Sequence, residues 1–355
     1  MPNPVWFIPA SAVEKDNFLA SKAYKILAKL SFLEKIDSRS LVGLKIHFGE
    51  KGNRGYINPC WLKKIISELR KKTERVFLTD SNTLYVGKRS NAPEHLTIAA
   101  KHGFSLKNTS IPVLIADGVV GRDKEEIEIN LHHVKKARIA SAFCNIDFLL
   151  CLNHFTGHVQ TGIGAAIKNT GMGCASRAGK LEQHSDVHPW VKPKLCRNCS
   201  ICMEFCPVEA IIEKNGSAFI VDEKCIGCGE CLVVCPEAAV KMKWGENEEK
   251  LQRKMAEYAY AVHRRFDSNI AYINFLLKIT KNCDCMSKQQ PNIVDDIGII
   301  GSTDPVALDQ ASADLVIRKA GRDVMKDGYD VDWSIQLEHG EKIGLGTRQY
   351  QLITL

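Results

Sequence analysis

No run of apolar residues in this 355-residue sequence approaches the length needed to cross a bilayer, about 20 residues for a helix. The first residues, Met-Pro-Asn-Pro-Val-Trp-Phe-Ile-Pro, lack a basic leader, a sustained apolar centre and a twin-arginine pair. Export is therefore not expected, and a cytoplasmic location is. Nor is there a stripe of one charge. The formal +7 comes from scattered lysines and arginines, densest at Lys71-Lys72 and Lys135-Lys136. That speaks against a nucleic-acid partner, whose footprint is a concentrated basic face or a recognisable reading module. Low-complexity segments are also missing, and the composition, 45% hydrophobic and 25% charged, is that of a globular chain long enough for two domains.

What the sequence does have is cysteine, 14 in all. Eight fall in two copies of C-x2-C-x2-C-x3-C-P: Cys196, Cys199, Cys202, Cys206 and Pro207, then Cys225, Cys228, Cys231, Cys235 and Pro236, offset by 29 residues. Three cysteines at this spacing bend round one corner of an iron–sulfur cube, and the fourth of each run ligates the other cluster. The reading is two 4Fe-4S clusters, one held by Cys196, Cys199, Cys202 and Cys235, the other by Cys225, Cys228, Cys231 and Cys206. Zinc favours two ligand pairs and leaves the third cysteine of each run unexplained. A disulfide knot belongs to small secreted domains.

Around this unit the chain alternates short apolar runs with amphipathic stretches. Strands are expected at Val5–Ile8, Leu41–Phe48, Val76–Thr79, Ile111–Ala116, Val134–Phe143, Phe148–Leu152 and Ile297–Ile300. Helices are expected at Asn17–Ile36, Pro59–Lys72, Pro93–His102, Asn247–Phe266 and Val306–Lys319, the last capped by Ser302-Thr-Asp-Pro and stopped by Gly321. This predicts an α/β fold, a mostly parallel sheet layered with helices. The expected organisation is a discontinuous α/β domain, residues 1–190 and 246–355. A small α+β bacterial-type ferredoxin domain, residues 191–245, is inserted in it, with boundaries at Val191-Lys-Pro-Lys194 and Trp244-Gly245.

Polar residues gather where the strands end: His47 and Glu50, Asp80 to Asn82, Asp117-Gly118, Asn153-His154, and Ser302 to Asp304. Ligands bind outside the carboxyl ends of strands in open α/β sheets, so these ends are expected to converge on a site. Taken singly, each reads better as a turn former or helix cap. The stretch His154 to Cys174 holds five glycines, His158 and Lys168. It offers either a backbone nest for an anion, a histidine pair for a metal, or close backbone packing. Cys60, Cys144 and Cys151 read as buried apolar groups. Cys283-Asp-Cys285 reads as a metal site, a redox pair or a structural element.

Taken together, several of these stretches resemble the ferredoxin-containing branch of the domain-of-unknown-function 362 family, iron–sulfur proteins common in anaerobes. The pieces are His47-Phe-Gly-Glu-Lys-Gly-Asn53, Thr79-Asp-Ser-Asn-Thr-Leu-Tyr-Val-Gly87, Ile115-Ala-Asp-Gly118 and His154 through Cys174. They continue with the cysteine double run, Cys283-Asp-Cys285 and Ser302 through Gln310. The resemblance implies electron transfer through the inserted unit, and Asp80-Ser-Asn-Thr83 stands where that pattern often has Asp-Thr-Asn-Thr. The glycine-rich stretch is also similar to the core of nickel-pincer lactate racemases, which set histidines and a lysine round a cofactor.

The expected function is an iron–sulfur oxidoreductase or redox subunit, passing single low-potential electrons from a partner protein to a small-molecule ligand on the α/β domain. His47, Asp80, Asn82, His154, His158, Lys168, Cys283 and Cys285 are the expected site residues: Lys168 for an anionic group, His154 or His158 for a proton or a metal, Asp80 and Asn82 to orient the ligand. Two rivals stand beside it: an electron carrier whose α/β domain docks partner proteins, and a metal-cofactor enzyme or iron–sulfur delivery factor with a further metal at Cys174, Cys283 and Cys285.

Overall fold

A computed structural model describes every residue except 1, 86, 185–187, 226, 228 and 243–247. Eight strands share one sheet in the order Tyr350–Thr354, Asn3–Pro9, Gly298–Ser302, Ile270–Leu276, Phe148–His154, Val42–Ile46, Val76–Asp80, Val113–Ile115. Five neighbouring pairs are parallel, and Gly298–Ser302 runs against both its neighbours. The fold is mixed α/β with a large, mostly parallel sheet. Strands from both sides of the cysteine double run lie in it.

The central strands are buried on both faces, which is why they read as near-continuous apolar runs. Phe148, Leu150 and Leu152 face one core, with Leu44, Ile46, Ile273 and Phe275. That core is covered by the helices Asp16–Ala28 and Lys63–Arg70. Leu149, Cys151, Tyr272 and Leu276 face the other, beneath the helices Glu248–Phe266 and Pro305–Ala320. The last of these starts where expected: Asp304 Oδ1 accepts from the Val306 and Ala307 N–H groups (2.8 and 2.9 Å), and Gly321, at φ +71, ends it.

Three expectations change. The apolar run at Val134–Phe143 splits into the strand Lys136–Ala140 and the short helix Ser141–Cys144. That strand pairs outside the main sheet, antiparallel to Lys124–Glu128, because alternate polar residues leave one side of the ribbon wet. Ile270–Leu276 is a strand missed in the sequence, since seven consecutive buried residues carry no period to distinguish strand from helix. Tyr350–Thr354 is a second missed strand.

The segment between 190 and 242 builds two antiparallel ribbons, Trp190–Val191 with Val240–Lys241 and Ile211–Lys214 with Ser217–Ile220. Its backbone repeats with the sequence. Left-handed Asn198, Ser200 and Glu209 match left-handed Gly227, Gly229 and Ala238, each pair 29 residues apart. The helices Ile201–Glu204 and Glu230–Val234 correspond. So do the Ala210 N–H donating to Cys206 Sγ (3.2 Å) and the Ala239 N–H donating to Cys235 Sγ (3.1 Å). The expected boundary at Trp244-Gly245 lies outside the described residues, as does Cys228.

Candidate functional site

Three parallel strands, Val42–Ile46, Val76–Asp80 and Phe148–His154, deliver His47, Asp80 and His154 to one edge of the sheet. A cavity of about 320 Å³ opens there, a size suited to a small ligand. Its walls include seven of the eight expected residues: His47, Asp80, His154, His158, Lys168, Cys283 and Cys285. Asn82 is the exception. It is buried beside the cavity, and its amide donates to Asp117 Oδ1 (2.9 Å) and the Gly118 carbonyl (2.9 Å), so it ties two strand ends together. Asp117 plays the turn former's part, accepting from the Asn82 N–H at 2.8 Å, and burial pushes it up to about 6. Ser302 to Asp304 leave the set altogether. Their strand is antiparallel to its neighbours, so it ends at the opposite edge of the sheet.

The cavity holds more cations than the sequence suggested. Lys45, fully buried, lies 2.9 Å from Asp80 Oδ1 and donates to Asn169 Oδ1 at 2.6 Å. Arg89 reaches Asp80 Oδ2 (3.5 Å) and Glu50 Oε2 (3.3 Å). Lys180 donates to Ser81 Oγ at 2.6 Å and to the Ala175 carbonyl. Burial, with Arg89 and Lys45 adding to it, lowers Lys168 to about 8. Burial lowers Lys180 to about 8 as well, against the pull of Asp117 and Asp80. Lys45 carried a legible signal, a lysine inside an otherwise apolar strand. Arg89, Lys180 and Asp284 carried none.

The three histidines play different parts. His154 faces two acceptors, Asp284 Oδ2 and the Leu277 carbonyl, both at 2.8 Å. Both ring nitrogens therefore carry hydrogen, and although burial opposes it, Asp284 raises its pKa. Such a ring has no lone pair for a metal, and it can give up a proton but not accept one. His47 Nδ1 accepts from the Gly49 N–H (3.1 Å), and His158 Nδ1 from the Gln160 and Thr161 N–H groups (3.3 and 3.2 Å). Burial and neighbouring cations, Arg89 at His47 and Lys168 at His158, hold both rings neutral. Each ring then carries its hydrogen on Nε2, as a donor.

Cys283 and Cys285 are joined in a disulfide. Lys168 Nζ is 3.8 Å from Cys283 Sγ. A His158 ring nitrogen and both sulfurs lie within 4.8 Å of one another. A metal-binding histidine usually donates its far N–H to an acceptor, whereas His158 accepts there. His154 and His158 end two strands, Phe148–His154 and Thr156–His158. Cys151 and Cys174 are fully buried, and burial raises both thiols, Cys151 to about 12. Cys60 and Cys144 are half-buried.

Close packing accounts for the glycines. A Cβ on Gly157 would stand 2.2 Å from the Lys281 carbonyl oxygen, and one on Gly171 2.1 Å from that of Met255. Gly157→Ala is expected to destabilise the protein by about 1–3 kcal/mol, measured by chemical denaturation, because the loop carrying Cys283 must move. Gly164→Ala, which meets the flexible end of Lys168 at 3.2 Å, should cost less. Equal losses would contradict this account.

The described thiols of the double run divide between two small cavities. Cys196, Cys199, Cys202 and Cys235 line one; Cys206, Cys225 and Cys231 line the other. The second lies against the main cavity. A Cβ on Gly229 would be 2.8 Å from Leu84 Cδ1, and Leu84 lines the main cavity. Next to it, Glu230 Oε2 takes Arg177 Nη1 (2.7 Å) and Arg122 Nε (3.2 Å), binding the small unit to the sheet domain.

The family model described as "Domain of unknown function (DUF362)" matches residues 42–314. No curated protein matches the chain. Among solved structures, the lactate racemase apoprotein from Thermoanaerobacterium thermosaccharolyticum aligns at 12% identity with a TM-score of 0.44, covering 84% of this chain and 54% of that one. A protein from Thermotoga maritima aligns at 8% identity with a TM-score of 0.45, covering 87% of this chain and 59% of that one. The chain thus spans less than two thirds of either structure. Among the described residues no helix is long and apolar enough to cross a membrane.

Proposed function

We propose, for a chain that belongs to the DUF362 family, an iron–sulfur oxidoreductase that binds an anionic small molecule in its cationic cavity. Cys196, Cys199, Cys202 and Cys235 would hold one 4Fe-4S cluster, and Cys206, Cys225, Cys228 and Cys231 the other, in a ferredoxin unit inserted at residues 191–245. The observation that carries this reading is the division of the thiols: the last cysteine of the first run lies with the second run, and the last of the second with the first. Two separate four-thiol sites need that crossing. The donor set fits, because Cys206 and Cys235 each accept a backbone N–H, which stabilises a thiolate. Bound there, the clusters would supply one-electron transfer at low potential.

The chain's own residues supply the rest. Lys168 and Lys180 would pair with the anionic group, and the Nε2–H groups of His47 and His158 would donate to it. Asp80, paired to Lys45 and Arg89, would hold the wall in place rather than touch the ligand. Leu84 would keep water from between the second thiol site and the cavity. A redox partner protein would meet the first site, where Cys199 is exposed.

Iron and sulfide analysis of anaerobically purified protein tests the reading. About eight of each per chain are expected. Cys235→Ser should abolish the same spectroscopic signal as Cys196→Ser, and Cys206→Ser the other one. Zinc in place of iron, or pairing of Cys235 with its own run, would sink it.

A further inference from the structure

We infer that Cys283 and Cys285 form a redox-active dithiol–disulfide pair in the wall of the anion cavity, with Lys168 as the group that holds the reduced thiolate. The inference rests on the proposed function for its electron source, and otherwise on geometry.

A purely structural role explains the pair poorly. A disulfide stabilises by closing a loop in the unfolded chain, and the effect grows with loop length. Here one residue intervenes, Asp284. The loop is already held without the bond. Asp284 Oδ2 faces His154 at 2.8 Å, and the Asp284 carbonyl accepts from the Glu50 N–H at 2.9 Å. Asn53 Nδ2 donates to the Met286 carbonyl (3.2 Å), and the Met286 N–H to the Cys283 carbonyl (3.1 Å). The two sulfurs would therefore stay side by side after the bond opens, which is what reversible chemistry requires.

The surroundings suit the reduced form. Cys283 is buried and Cys285 half-buried, and both line the cavity. Lys168 Nζ stands 3.8 Å from Cys283 Sγ, and a neighbouring ammonium stabilises a thiolate. His158 and His184 also line the cavity with Lys168, as do Lys45, Arg89 and Lys180. Asp284 and Asp80 are the facing carboxylates, each already opposite a cation. Among the described residues, the cation beside the sulfur without a carboxylate partner is Lys168.

The half-reaction balances on these groups. The Sγ–Sγ bond breaks as two electrons enter from a low-potential one-electron donor, two equivalents in all. Cys283 Sγ stays a thiolate opposite the Lys168 ammonium, and Cys285 Sγ takes one proton from the cavity water. The reverse step returns two electrons to an acceptor and releases that proton. Two one-electron clusters and one two-electron disulfide thus match in stoichiometry.

The test uses the full-length protein, purified without oxygen. Trypsin releases both cysteines in one peptide, residues 282–288, after Lys281 and Lys288. Samples equilibrated in dithiothreitol redox buffers are alkylated and that peptide weighed. It should pass from unlabelled to doubly labelled in one two-electron transition. Dithionite added to cluster-loaded protein should drive the same change. In Lys168→Met, alkylation of the reduced pair at pH 7 should slow roughly tenfold, one unit of thiol pKa, with the profile displaced to higher pH. A peptide that stays unlabelled, or stays labelled, across the whole series overturns the inference. So does an alkylation profile unmoved by Lys168→Met, or a reduced pair that resists labelling until a chelator is added, which would make it a metal site. Iron and sulfide content, read on the same sample, shows separately whether the cluster reading has failed.

Discussion

Asp80→Asn is expected to destabilise the protein by about 3–5 kcal/mol, the range for a buried charge stripped of its partner. Asp80 serves two buried cations at once, Lys45 at 2.9 Å and Arg89 at 3.5 Å. Its own burial works against ionisation, but Lys45, His95 and Arg89 outweigh it and hold the carboxyl below the usual range. Because that pKa is depressed, the stabilisation is present above the unfolded carboxylate value, about 3.9, and is lost as pH falls through the folded one. Asparagine keeps the shape but leaves Lys45 with the neutral Asn169 Oδ1. Denaturant unfolding at pH 7 measures the loss. The double variant Lys45→Met/Asp80→Asn should recover much of it, since replacing both partners removes the uncompensated charge. A single-variant loss below about 1 kcal/mol would mean that the pair is solvated and the cavity wall is not built on it.

Anion binding should weaken about tenfold between pH 7 and pH 9 through Lys168 alone. The lysine sits at about 8 because burial and nearby Arg89 disfavour its charge. Below that value it is protonated and attracts an anion. Above it, each pH unit costs a factor of ten in the population able to do so. Lys180, at about 8 for the same physical reason, adds to the slope. The histidines do not, since His47 and His158 are already neutral and His154 is paired with Asp284. Succinate is a suitable probe, titrated by calorimetry at several pH values. Lys168→Met should lower affinity at pH 7 and flatten the pH dependence. Affinity independent of pH, or equal in the variant, would remove the cavity's cations from ligand recognition. The protein would then be read as a carrier that docks partners.

The two halves of the molecule differ in how openly the sequence displays them. The cysteine double run is local: each run of four cysteines spans eleven residues, and its backbone repeats because the same left-handed turns recur at Asn198 and Gly227, and at Ser200 and Gly229. The cavity is not local. Sequence reasoning found His47, His158 and Lys168 by their place after strands or in an unusual stretch. It overvalued Asn82, which is a turn clamp, and Ser302 to Asp304, whose strand runs the other way. It allowed His154 a metal-ligand role for which two acceptors leave no lone pair. Arg89 and Lys180 went unseen because a charged residue in a loop or on a helix reads as a solvated one.

By itself, then, the sequence determined the alternation of strands and helices and the crossed grouping of the described thiols in two cavities, since these follow from spacing and periodicity along the chain. Strand direction within the sheet, the disulfide in the cavity wall and the depressed lysines came from tertiary structure. Each depends on how close and how buried two distant residues become. Spacing along the chain does not encode that: Lys45 and Asp80, or Lys168 and Cys283, meet only after the sheet has formed.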